Sequence, residues 1–97
     1  MKPLWRLRSG RSAGWRTGDD QLYDADGAHL GFFIDDIAYS NDGRAIGEVY
    51  GELWLGKRET VVYPTGTRQS TRPGRATPEF PDRPGGMPLA GWSDPEF

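Results

Sequence analysis

What most restricts the possible folds of this chain is an internal period. The stretch YDADGAHLGFFIDDIA (23–38) aligns without a gap on YSNDGRAIGEVYGELW (39–54). Each copy opens on a tyrosine and runs through turn-forming residues to a glycine. Two residues, an apolar residue and a second glycine follow, and then an apolar run. LRSGRSAGWRTGDDQL (7–22) has the same outline with one residue fewer in its first turn. Gly10 and Gly14, Gly27 and Gly31, and Gly43 and Gly47 are therefore matched pairs. Leu7, Tyr23, Tyr39 and Leu55 keep the period of 16, and so do Trp5, Gln21, Ile37 and Leu53. A third column, before the second glycine, reads Ala13, Leu30, Ile46 and Val62. The fourth copy, LGKRETVVYP (55–64), keeps the register but carries Glu59 and Tyr63 where glycines stood. Such self-similarity marks a small structural unit that buries its apolar face against its neighbours.

Within each copy the local chemistry is that of a hairpin. Asp-Gly between two apolar runs favours a tight reversal, because glycine accepts the positive φ that such turns need. Small turns at TGDD (17–20), IDD (34–36) and YGE (50–52) join one copy to the next. Eight short strands are expected. Helix is not, since glycine (14) and proline (8) are abundant and are the two poorest helix formers. The second glycine of each pair sits inside a strand, where it costs about 0.5–1 kcal/mol relative to alanine. Its recurrence points to close backbone approach. In a closed ring of hairpins Gly14, Gly31 and Gly47 would mark where strands converge, and Tyr63 would fill the fourth place.

These residues resemble a known family. YDADGAHLGFFIDD followed by YSNDGRAIGEVYG is similar to the 4-fold beta flower domain of small bacterial proteins, whose repeats follow Y-D-x-x-G-x-x-x-G-x-F. The likeness covers roughly residues 5–63. It implies an all-β fold of four β-hairpins of about 16 residues around a pseudo-four-fold axis, with no established catalytic activity. Other hairpin repeats with tyrosine–aspartate signatures (the YD repeats of large secreted proteins) share the motif but occur in long arrays.

The expected organisation is a four-hairpin domain over 1–63 and a Pro/Gly-rich tail over 64–97. The tail holds seven of the eight prolines and five glycines, a composition that builds no core of its own. It is either disordered or docked along the domain or a neighbouring chain. Its spaced apolar residues, Phe80, Met87, Leu89, Trp92 and Phe97, favour docking, as does the habit of extended segments of lying along strand edges or in grooves. Arg68, Arg72 and Arg75 read as a solvated basic linker.

Charge is unevenly spread. Lys2, Arg6, Arg8, Arg11 and Arg16 against Asp19 and Asp20 make residues 1–22 basic by +3. Residues 23–59 set eight carboxylates against Arg44, Lys57 and Arg58, a balance of −5. That segregation suits contact within or between chains, and it argues against a nucleic-acid footprint. The absence of cysteine excludes disulfide, thiolate and zinc–sulfur chemistry. No apolar run is long enough for a signal peptide or a membrane span, so a cytoplasmic location is expected and no membrane partner.

Catalytic constellations are hard to assemble. His29 is the only histidine, and no serine sits in a nucleophile context. Asp35, Asp36, Glu48 and Glu52 read as turn carboxylates rather than an acid–base pair. The glycine motifs lack the lysine of a phosphate loop. DADG resembles the start of a calcium loop but lacks its third ligand and its glutamate at position 12. No cofactor and no metal are expected. The function expected is a non-enzymatic β-repeat module that binds a protein partner or a second copy of itself. The alternative is a small-ligand or carbohydrate-binding module using exposed aromatic side chains. Candidate contacts for either are Trp15, His29, Phe32, Phe33 and Trp54.

Overall fold

The computed structural model describes residues 1–84, 86 and 89–97; Met87, one of the apolar tail residues, lies outside the described residues. Eight strands follow in order: β1 (Lys2–Arg6), β2 (Ser12–Arg16), β3 (Gln21–Tyr23), β4 (His29–Ile34), β5 (Ile37–Ser40), β6 (Ala45–Tyr50), β7 (Trp54–Arg58) and β8 (Trp92–Ser93). There is no helix among the described residues, and so none long and apolar enough to cross a membrane. Sequential neighbours pair antiparallel from β1 to β7, and β1 then pairs with β7 to close a barrel-like sheet. That closure is parallel, as it must be when seven strands alternate in direction. The molecule is broad and shallow, with extents of 34 × 32 × 19 Å.

β1–β2, β3–β4 and β5–β6 are hairpins with one geometry. Their turn glycines Gly10, Gly27 and Gly43 have φ of 74°, 90° and 89°, values costly for any residue with a Cβ. In each hairpin the second glycine pairs just before a register shift, Gly14 with Leu4, Gly31 with Leu22 and Gly47 with Ala38. The shift is a bulge, which adds twist and bends the pair.

Close approach accounts for the second glycine column. A Cβ on Gly14 would overlap the carbonyl oxygen of Tyr23, and one on Gly31 would overlap that of Tyr39. At Gly47 it would meet the Leu55 side chain at 3.1 Å. Each glycine thus makes room for the Leu7–Tyr23–Tyr39–Leu55 column of the next unit. The fourth such contact is made by Gly86, where a Cβ would overlap the carbonyl oxygen of Leu7. This corrects the expectation for Tyr63, whose ring instead packs on the Phe32, Tyr39 and Ala45 cluster.

Around the axis lie Leu4, Ala13, Leu22, Phe33, Ala38, Ile46 and Leu55, all buried. Val62, expected in the Ala13–Leu30–Ile46 column, is 96% exposed. Phe97 packs against the axial cluster instead, and the Glu96 amide donates to the Ile46 carbonyl. The reason is local. With glutamate at position 59 in place of the turn glycine the fourth copy turns at Glu59–Thr60 but closes no hairpin, and no strand forms over 59–63. β7 is shared instead, Trp54 and Leu55 facing β1 while Lys57 and Arg58 pair with β8.

Gly31→Ala should lower stability by about 1–3 kcal/mol or more, because the obstacle is backbone that cannot yield. Gly18→Ala, with nothing within 4 Å of the added methyl, should stay within about 0.5 kcal/mol of the parent. Urea unfolding of the two variants checks the contrast.

Candidate functional site

The described residues of the segment 64–97 lie around the ring. Amides of the tail donate to the three turn glycines in turn: Gly66 to Gly43 (2.8 Å), Arg75 to Gly27 (2.9 Å) and Arg83 to Gly10 (2.7 Å). β8 then joins β7, and Glu96 returns to Ile46 on β6. A positive-φ glycine turns its carbonyl outward and carries no side chain to screen it, so each hairpin tip offers a bare acceptor to the passing segment.

Trp5 and Trp15 on the first hairpin and Trp54 on β7 wall a groove that the tail fills. Phe80 meets Trp5 and Trp15 edge-on, with centroids 5.1 and 4.8 Å apart. The Trp5 indole N–H donates to the Pro81 carbonyl at 2.9 Å, and Ser12 N–H donates to the Asp82 carboxylate at 2.7 Å. The Arg83 guanidinium lies 4.1 Å from the Trp5 ring centre and 5.3 Å from that of Trp54. Such cation–π contacts contribute about 0.5–2 kcal/mol, more when desolvated. Two buried donors, Trp15 Nε1 and Arg83 Nε, have no partner among the described residues.

His29 holds the neighbouring stretch of tail. It is 8% exposed, beside Tyr23. Its Nδ1 faces two donors, the Arg72 amide at 3.0 Å and the Asn41 side-chain nitrogen at 3.3 Å, so this nitrogen carries the lone pair. Nε2 carries the proton and donates to Gln21 Oε1 at 2.9 Å. Burial lowers the imidazole pKa, the Arg72 charge lowers it further, and Asp19 pulls the other way. Asp19 itself is bound by the Thr17 hydroxyl and by Arg72 at 2.7 Å, and both hold its carboxyl below the usual range.

The remaining candidates divide clearly. Trp15, Phe32 and Phe33 are 7%, 1% and 4% exposed, and Trp54 is half-buried under Arg83. They therefore form no open stacking platform for a sugar, a correction to the reading of them as exposed rings. Phe33 is in the axial cluster with Arg16 4.4 Å from its ring centre, and Phe32 stacks on Tyr39. Trp15 and Trp54 come together in one groove, which Phe32, Phe33 and His29 do not line. Trp5, Phe80 and Arg83 were missed as site residues. Trp5 stood in a repeat column, but nothing in the sequence pairs it with a segment 75 residues away.

Asp24, the first residue of the calcium-like motif, uses its Oδ1 to accept from the amides of Asp26 and Ala28, each at 2.9 Å. That is an Asx turn closing a hairpin. Among the described residues no three His, Asp or Glu side chains are placed to hold a metal. Glu48 is engaged by Arg58 (2.8 and 3.0 Å) and by the Tyr63 hydroxyl (2.9 Å), which ties the start of the tail to β6.

The pole formed by the turns between hairpins is open by contrast. A cavity of about 420 Å³ is lined by Leu4 and Val49 with Lys2, Arg16, Asp20, Asp36 and Glu52 among its charged residues. Arg16 is held by Asp20 at 2.9 Å and by Asp36 at 3.4 Å. Met1, Ile34, Tyr50 and Leu53, the large exposed hydrophobics flanking these turns, are 37–45% exposed. Asp20, Asp35 and Glu52, one in each of these turns, have positive φ of 60°, 54° and 67°.

A family model described as 4-fold beta flower protein matches residues 2–97. No curated protein and no solved structure matches the chain.

The histidine contact carries a pH dependence whose sign is set by the lowered folded-state value. Its stabilisation is fully present above the unfolded-state pKa near 6.5 and is lost as pH falls through that value toward the lower folded-state one. Protonation puts a proton on Nδ1 facing the Arg72 N–H. Exchange protection of the Arg72 amide should therefore drop as pH falls below about 6.5, before the carboxylates reach their ordinary range. In His29→Gln the same profile should be flat.

Proposed function

The chain belongs to the 4-fold beta flower family, and on that premise we propose that it is a non-enzymatic protein-interaction module that docks through its open pole. In this reading the four sequence repeats are four petals about a pseudo-four-fold axis. The last petal is completed by the tail, as the contact of Gly86 with Leu7 supports. The tail covers the hairpin-tip side, so the large exposed apolar residues other than Val62 are left at the other end.

The observation that carries the proposal is the cavity at that pole, with an apolar floor of Leu4 and Val49 and a rim in which three carboxylates face two cations. Arg16 is shared by Asp20 and Asp36, and the five rim side chains together sum to −1 above an apolar floor. That combination suits a lysine side chain from a partner, whose methylenes pack below while its ammonium stays at the rim. The exposed fringe of Ile34, Tyr50 and Leu53 would surround the inserted chain and exclude water from it. A second reading keeps the alternative of a small-ligand module but moves it from the aromatic residues to this cavity, whose volume is in the range of ligand pockets.

n-Butylamine stands in for the lysine side chain and n-butanol for its uncharged equivalent. The amine is expected to shift the methyl resonances of Leu4 and Val49, with affinity about 3- to 10-fold weaker in the Asp36→Asn, Glu52→Gln double variant. Equal binding of the alcohol would favour the small-ligand reading. Absence of any shift at the pole would defeat both.

A further inference from the structure

The tryptophan groove is a second surface, independent of the pole, and its occupant shows what it reads. All four residues of Phe80-Pro81-Asp82-Arg83 are engaged. Phe80 is read by two indole edges, Pro81 by the Trp5 N–H, Asp82 by the Ser12 amide, and Arg83 by two indole faces and the Gly10 carbonyl. Aromatic-lined grooves suit proline-containing segments because such chains are already extended and lose little freedom on binding. The indole N–H to backbone carbonyl bond recognises the path of the chain, and the side-chain contacts recognise its sequence.

We infer that this groove is a recognition site for an extended aromatic-Pro-Asp-Arg segment, and that residues 80–83 of a second copy of the chain can take the place of its own. Two features support exchange. The occupant is held imperfectly, since Trp15 Nε1 and Arg83 Nε are buried without a partner among the described residues. Such unmet donors cost free energy in the closed and the exchanged form alike, and so weaken the hold of the groove on any one occupant. The approach to the groove is also held without a continuous ladder. From Pro64 to Glu79 the chain forms no strand and touches the ring through separate bonds at Gly66, Gln69, Thr71, Arg72, Arg75 and Thr77. A swapped pair would remake each of these contacts and the four-residue reading in full, at the cost of association alone.

The second copy is favoured as occupant because it necessarily carries the one segment seen to fit. Its basic residues 1–22 and acidic residues 23–59 also place unlike charges within reach of a twin. Exchange needs no new surface. It needs only that the tail of one chain reach the ring of the next before its own.

The test uses full-length chains and a synthetic peptide of residues 78–84, PEFPDRP. In the Phe80→Ala, Arg83→Ala chain the groove is intact and its own segment disabled. The peptide should bind this chain, read by tryptophan emission, at least about tenfold more tightly than it binds the parent, whose own segment competes at a millimolar effective concentration. Adding Trp5→Phe keeps a ring and deletes the indole donor, and should weaken the peptide several-fold. The Phe80→Ala, Arg83→Ala chain mixed with a Trp5→Phe, Trp15→Phe chain pairs a free groove with a live segment. Light scattering should find a two-chain mass in the mixture and in neither component. No peptide binding by the folded double variant overturns the recognition site. Binding of the peptide with only monomers in the mixture overturns the second copy as occupant and assigns the groove to a segment of another protein. If the double variant does not fold, parent chains carrying donor and acceptor dyes are refolded together at high concentration. Energy transfer between them is the expected result, and its absence overturns the exchange.

Discussion

A ring of seven strands that alternate in direction can close only by laying its first strand beside its last in the same sense. This constraint governs the architecture. The parallel contact of β1 with β7 is short, just Trp5 with Trp54 and Arg6 with Leu55. The rest of β7 is left with an edge, and unpaired edges invite association. β8 covers that edge at Lys57 and Arg58. Residues 59–63, which follow β7 directly, form no strand that would serve the same end locally, and a distant segment does so instead.

The tail is therefore structural although its composition is that of a linker. It gains its hold from anchors about eight or nine residues apart rather than from a continuous ladder. At each anchor a backbone bond to a glycine carbonyl, or a ring or guanidinium against an aromatic face, replaces water over a gap between hairpins. Arg75 lies over Tyr23, Arg83 over Trp5 and Arg58 over Trp92. Charge reinforces the last turn of the circuit, where Glu96 sits between Lys57 at 2.7 Å and Arg44 at 3.4 Å. Lys57 is the larger influence holding the Glu96 carboxyl below its usual range.

Much of the ring was legible in the sequence because its determinants are local. Asp-Gly turns and a glycine inside each second strand define a hairpin within about sixteen residues, and repetition raises that signal above chance. The family likeness follows from the same residues. The site was less legible. Trp15, Phe32 and Phe33 looked like candidates for display, yet Phe32 and Phe33 are buried within the ring and Trp15 is covered by Phe80 of the tail. His29 stood out as the residue the other repeats do not echo, and the reason is its bond to Arg72, 43 residues on. Gly86 and Phe97 were invisible as members of repeat columns because their partnership is purely three-dimensional. A periodicity search sees only neighbours in register along the chain.

The circuit of the tail also dictates an order of events. Its anchor points are hairpin tips and strand edges, which exist only once the ring has formed. The bond from Arg6 to the Phe97 carbonyl joins residues 91 positions apart. Such contacts carry the greatest loop-closure cost, and folds rich in them fold slowly. The molecule should thus assemble as a knotless parcel, with the box made first and the string tied afterwards. Unwrapping from the Phe97 end would release one anchor at a time without dismantling the hairpins beneath. A chain built this way can vary how much of its surface it shows while its sheet stays intact.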